Sequence, residues 1–179
     1  WEEIPVVNVV HISEAFNRNS ETMLREMIRQ HRNHPSVILW GYMNEVFLRA
    51  PKTEAQVKAT VDLARRLETI AREEDPGRLT AMAFDHGARE IYHSSGLSRI
   101  THVVGWNLYF GWYHDTFDDF GKFMDEQHRR FPERPLFVSE YGANADRRVH
   151  SLEPKRFDST TEWQRMYHES YLKQMNERK

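Results

Sequence analysis

The chain has 179 residues, 39% hydrophobic and 29% charged, the composition of a folded globular chain about one domain long. Its 25 Lys and Arg nearly balance 27 Asp and Glu, for a net charge of −2, which argues against a nucleic-acid surface and against a disordered acidic segment. With no Cys, disulfides, thiolate zinc sites and thiol catalysis are excluded, and no apolar run approaches the ~18 residues of a membrane-spanning helix.

In chain order, residues 4–10 are rich in Val and Ile and predict a strand or the exit from one. Residues 20–32 predict a helix with Met23, Leu24, Met27 and Ile28 on one face, stopped by Asn33-His34-Pro35. The run Val37-Ile38-Leu39-Trp40, within residues 36–42, predicts a strand buried on both faces. Thr53 and Gln56 have the spacing of a capping box and open a helix to about Glu74, with Val57, Val61, Ala64, Leu67 and Ala71 inward. Asp75-Pro76-Gly77 predicts a turn, residues 79–83 a strand, residues 90–94 a helical turn and residues 100–108 a further strand. Residues 115–130 predict a helix with Phe117, Phe120, Phe123 and Met124 inward, followed by a strand at 136–139. Thr161 and Gln164 suggest a second capping box, opening a helix to about Asn176 with Trp163, Met166, Tyr167 and Tyr171 inward.

This βα alternation implies an α/β fold with a parallel sheet. It could close as an open doubly wound sheet or form part of a (β/α)8 barrel. Neither GxGxxG nor GxxxxGK[ST] occurs, so the phosphate-cradling turn of nucleotide-binding sheets is missing. There is no repeat beyond the βα unit and no linker, which reads as one domain or a piece of one.

Two carboxylates occupy matching places. Glu45 follows the first buried run within Gly41-Tyr42-Met43-Asn44-Glu45, and Glu140 ends Leu136-Phe137-Val138-Ser139. In barrels, residues just past the C-terminal ends of strands converge on one site. Two Glu so placed fit the carboxyl pair of a retaining glycosidase, roughly 5 Å apart, one attacking the anomeric carbon and the other handling protons. A solvated strand-end Glu is the bland alternative.

The local wording goes further. His31-Arg32-Asn33-His34-Pro35-Ser36-Val37-Ile38-Leu39-Trp40 with Asn44-Glu45 resembles the acid/base signature of glycoside hydrolase family 2. Ser139-Glu140-Tyr141-Gly142-Ala143 resembles that family's nucleophile segment, and the stretch from Gly105 to Tyr113 its sixth barrel strand and loop. Trp1-Glu2-Glu3 resembles the end of the third strand. The resemblance implies an incomplete TIM barrel, about strands three to seven, lying within residues 1–179. It also implies β-sandwich domains ahead of the barrel and an eighth strand, neither of which fits in this stretch.

By the same resemblance Glu45 is the acid/base and Glu140 the nucleophile. Asn44 is a ligand of the sugar 2-hydroxyl, and Tyr109 is a phenol beside the nucleophile. Asn107 and Trp112 are weaker candidates for the pocket wall, against a turn Asn and a packing Trp. The partner implied is a carbohydrate, with no nucleic acid and no membrane, and two copies could cover each other's open edges as a homo-oligomer. No cofactor is implied. No metal is expected, because Val7-Asn8-Val9 stands where some relatives carry a Glu-x-His pair; His31 and His34 read as structural. Arg65-Arg66 and Arg147-Arg148 read as solvated surface. The wording from Trp106 to Tyr109, and Asn144-Ala145-Asp146 without a Lys, favour a β-galactosidase. A β-glucuronidase, a β-mannosidase and a non-catalytic carbohydrate-binding fragment are the alternatives. The compartment stays open, a periplasmic or secreted site fitting a polysaccharide degrader and the cytoplasm fitting equally.

Overall fold

The computed structural model describes residues 1–178 and divides into two compact units, Trp1–Trp106 and Asn107–Lys179. The first holds β1 (Glu2–Glu3), α1 (Glu14–His31), β2 (Leu39–Asn44), α2 (Glu54–Glu74), β3 (Leu79–Asp85), α3 (Arg89–Ser94) and most of β4 (Val103–Asn107). The second holds α4 (Asp119–Arg130), β5 (Leu136–Glu140) and α5 (Thr161–Asn176). Strands follow chain order, β1-β2-β3-β4 in the first unit, with β5 beside the end of β4 in the second. The β1–β2 and β2–β3 pairings are parallel. This is the βα progression that the sequence predicts.

In the first unit β2 and β3 form the core. Leu39 through Met43 are all buried, as are Thr80 through Asp85. Trp40 and Tyr42 are wholly enclosed and turn their polar ends to neighbours on the helix side. The indole N–H of Trp40 donates to Asp75 at 3.1 Å, and the Tyr42 hydroxyl to Glu68 of α2 at 3.1 Å. Glu68, 7% exposed, is offset by Tyr42, Thr80 and Arg72, which all donate to it. Gly41 is dictated by close packing, because a Cβ there would collide with Trp1 Nε1 and lie 2.9 Å from Glu3 Cβ. The pairing is regular from Leu39↔Leu79 to Gly41↔Ala81, then shifts before Asn44↔Ala83. Such an irregularity re-aims the strand end, and here it falls just before Asn44.

Several expected boundaries move. The first strand is Glu2–Glu3, and residues 4–10 leave the sheet apart from a bridge between Val7 and Asn44. Helix α1 starts at Glu14, because Ser13 caps it by accepting the Phe16 N–H at 3.2 Å, a signal hidden by the polar residues that follow. Val37 is half-buried and Ile38 is 64% exposed, so the buried run begins two residues later than expected, at Leu39, and extends to Met43. Thr53 caps α2 as expected, but Gln56 does not complete the box; its buried amide donates to the Val10 carbonyl at 2.6 Å. The last helix is capped by Thr160, which accepts from Trp163 N–H at 3.2 Å, rather than by Thr161. Helix α4 starts at Asp119, after Asp115 takes a positive φ of 39°. Met166, expected inward, is 38% exposed, whereas Tyr167 and Tyr171 are fully buried.

Candidate active site

In the first unit the end of β2 is fixed by its own backbone. The Asn44 amide donates to the Val6 carbonyl at 2.9 Å, and the Asn44 carbonyl accepts from the Asn8 amide at 3.0 Å. Next in the chain, the Glu45 amide donates to the Ala83 carbonyl at 2.8 Å, and the Glu45 carbonyl accepts from Leu48 at 2.8 Å. Asn44 and Glu45 are thus held between residues 6–8 on one side and β3 on the other. Glu45 has φ 51°, a left-handed conformation that costs a non-glycine residue about 1–3 kcal/mol and persists only where its surroundings over-determine it. Both side chains are half-buried, and Val46 and Phe47 just beyond are fully enclosed.

In the second unit the other carboxylate is held by a side chain. Glu140 is the last residue of β5 and is exposed. The Tyr109 hydroxyl donates to its Oε2 at 2.7 Å. A donor on the ionised carboxylate fixes its direction and stabilises its charge. The Glu140 carbonyl accepts from Leu108 at 2.8 Å, and Ser139 donates to the Asn107 side-chain oxygen at 2.7 Å. The segment carrying Tyr109 is anchored from below. Tyr167 donates to the Leu108 carbonyl at 3.0 Å, and Tyr171 reaches the Leu108 and Phe110 carbonyls at 3.3 and 3.1 Å. Burial pushes the Tyr167 phenol up to about 12 and raises that of Tyr171 further, so both stay neutral donors. Gly111 at φ 83° turns the chain where Phe117 leaves no room for a Cβ.

The six residues singled out from the sequence therefore fall into two clusters, Asn44 with Glu45, and Asn107, Tyr109 and Trp112 with Glu140. Asn107 is 1% exposed and bonded to Ser139, and Trp112 is 3% exposed with its ring 5.0 Å from Phe157. Both are packing residues, buried within the second unit. Tyr113 and Phe157, each 53% exposed, are aromatic surfaces that the sequence did not mark. A cleft of about 750 Å³, lined by Phe120, Leu136, Phe137, Val138, Tyr141 and Met175 among others, includes neither Glu140 nor Tyr109. His31 pairs with Glu2 and stacks edge-on with His34 at 5.7 Å. Among the described residues no group of three or more His, Asp or Glu could hold a metal, and no helix is long and apolar enough to cross a membrane. Arg66 is engaged by Glu14 and Glu21, and Arg148 by Asp146, as surface ion pairs.

A third strand end lies two residues beyond the expected strand of residues 79–83. Asp85 closes β3 after Ala81-Met82-Ala83-Phe84, a carboxylate at the end of an apolar run just as Glu45 and Glu140 are.

Residues 6–179 match the family model described as glycosyl hydrolases family 2, TIM barrel domain. A β-glucuronidase of Bacteroides fragilis is 34% identical over 152 residues, covering 81% of this chain and 20% of the relative. The crystal structure of a Bacteroides uniformis β-glucuronidase superposes with a TM-score of 0.92 at 48% identity, covering 98% of this chain and 22% of that one. A structure of B. uniformis β-glucuronidase 2 covalently bound to cyclophellitol-6-carboxylate aziridine has a TM-score of 0.93 at 47% identity, covering 99% of this chain and 22% of that one. The chain spans about a fifth of the length of the relatives it matches.

Proposed function

The chain belongs to glycosyl hydrolase family 2, whose members hydrolyse O-glycosidic bonds, and from that premise we propose that it carries the catalytic carboxylates of a retaining β-glucuronidase. Glu140 is the nucleophile and Glu45 the acid/base. The observation that carries the reading is the Tyr109 hydroxyl on Glu140 at 2.7 Å, a donor set to aim a strand-end carboxylate. The matching strand end, Asn44-Glu45, supports it.

In the first step Glu140 attacks the anomeric carbon while the C–O bond to the aglycone breaks. Glu45 gives its proton to the departing oxygen, and an ester joins sugar to Glu140. That ester removes the Glu140 charge, so Glu45 ionises more readily and can take a proton from water. The water oxygen then attacks the anomeric carbon, the ester bond breaks, and Glu140 returns as a carboxylate. Asn44 donates to the sugar 2-hydroxyl, and Tyr109 keeps Glu140 in line.

On the sugar, the relatives favour the glucuronide over the galactoside expected from the wording around Trp106, since those named above are β-glucuronidases. The missing Lys at residues 144–146 carries little weight in a chain spanning about a fifth of its relatives, because carboxylate-binding groups can come from elsewhere in a longer protein.

The test uses the full-length protein. It is assayed with 4-nitrophenyl β-glucuronide, β-galactoside and β-mannoside, then treated with cyclophellitol-6-carboxylate aziridine. Preferred turnover of the glucuronide, and a single covalent adduct mapped to Glu140, are expected. A galactoside preference would overturn the sugar, and an adduct elsewhere would overturn the nucleophile.

A further inference from the structure

Tyr92 on α3 is fully buried, and none of the steps above uses it. Its ring stacks on Phe84 at 3.9 Å with planes 10° apart and meets Phe47 at 5.3 Å. A phenylalanine would fill that space equally well, so packing does not account for the hydroxyl. The hydroxyl donates to Asp85 Oδ1 at 2.7 Å and accepts from the Phe47 backbone N–H at 3.4 Å. Asp85, 8% exposed, is itself oriented, since its Oδ2 accepts the Ala88 N–H at 2.9 Å. Phe47 lies two residues beyond Glu45, and Ala83, which accepts the Glu45 amide, lies two residues before Asp85. The backbone from Glu45 to Phe47 is therefore tied at both ends to the β3–α3 segment. This chain of bonds encloses the one residue of the loop with a positive φ. Burial, with the charges of Asp85 and then Glu45, raises the Tyr92 phenol, so it remains a neutral donor across the working pH range.

We propose that Asp85 and Tyr92 are positioning residues that hold the Glu45 carboxyl on its proton-transfer path by clamping the Phe47 amide. The inference rests on Glu45 being the acid/base. Its consequence is selective. A misaimed acid slows departure of poor leaving groups, which need the proton, and spares good ones, which do not.

The experiment measures kcat/KM of the full-length enzyme on phenyl and 2,4-dinitrophenyl β-glucuronides, with the corresponding galactosides if the sugar panel selects them. Tyr92→Phe keeps the ring stack and removes only the hydroxyl. It is expected to lose about tenfold on the phenyl substrate and less than about twofold on the dinitrophenyl one. Asp85→Asn should show the same split and serves as the second variant should the first fold poorly. Thr80→Val, which removes a buried hydroxyl bonded to Glu68, controls for lost stability and should show no split. Glu45→Ala is measured alongside and should show a larger split of the same kind. If Glu45→Ala splits the substrates and both clamp variants do not, the clamp is overturned and the acid/base assignment stands. If Glu45→Ala shows no split, the assignment itself fails and the clamp falls with it.

Discussion

The two strand ends that carry Glu45 and Glu140 are held in opposite ways. Glu45 follows a strand buried over five consecutive residues and is stitched by main-chain bonds to Val6, Asn8 and Ala83 by way of Asn44 and its own amide. Glu140 ends a strand in which Phe137 is 40% exposed and no residue is fully buried, and its carboxylate is held by the Tyr109 phenol. Main-chain bonds survive most side-chain substitutions, whereas a phenol can be removed by one. The Glu140 end should therefore respond most directly to loss of one phenol, Tyr109, whereas the Glu45 end should respond to whatever strains or releases its backbone, the Tyr92 clamp included.

The sharpest break of that comparison is at the carboxylates themselves. In the full-length enzyme Glu140→Gln should abolish turnover of every aryl glycoside, by on the order of 10⁴–10⁶-fold in kcat. Glu45→Gln should cost about 10²–10⁴-fold on a phenyl glycoside and far less on a dinitrophenyl one. Equal losses on both substrates in a leaving-group series would erase the distinction between the two roles. Next comes Tyr109→Phe, which removes a hydrogen bond to a charged group worth about 1.5–3 kcal/mol. Steady-state kinetics should show about a 10–100-fold fall in kcat/KM with little change in melting temperature. An unaltered rate would mean that Glu140 is aimed by its backbone alone.

Gly41→Ala tests the other end. The new Cβ meets Trp1 and Glu3, and overpacking of this kind costs about 1–3 kcal/mol, read as a lower melting temperature. Activity should fall with stability, because β2 leads directly into Asn44-Glu45. The smallest expected effect is remote from both ends. Glu74, between Arg29 and Arg25, is lowered from its ordinary carboxylate value to about 2. Its folded-state value lies below its unfolded one, so its contribution is present above about pH 4.5 and is lost as pH falls toward 2. Thermal unfolding of Glu74→Gln should lose less stability than the parent between about pH 5 and pH 2. Parallel curves would show that the ion pairs contribute nothing measurable.

Much of this was legible in the residues. The βα order, the inward faces of α2 and α4, and the pair Glu45 and Glu140 follow from apolar runs ending in a carboxylate, a pattern that burial of a parallel strand imposes locally. Thr53 was readable as a cap because side-chain capping needs only residue type and spacing. What escaped depended on partners far along the chain. Gln56 looked like half of a capping box, yet it bonds Val10, 46 residues away. Ser13 was obscured because residues 14–22 lack a continuous apolar stripe, so α1 seemed to begin later. Asp85 lies past the expected end of its strand, because Phe84 and Asp85 stay in the sheet two residues beyond Ala83.

The sequence by itself determined the family, the parallel βα progression and the identity of the two strand-end carboxylates, since each rests on residue type and local order. Only the tertiary structure decided how the segments that carry them are held. Tyr109 is 31 residues from Glu140, and Tyr92 is 45 from the amide of Phe47. Hydrogen bonds between such distant positions exist only after the strands have been brought into register, and register is a property of the packed sheet rather than of any one segment.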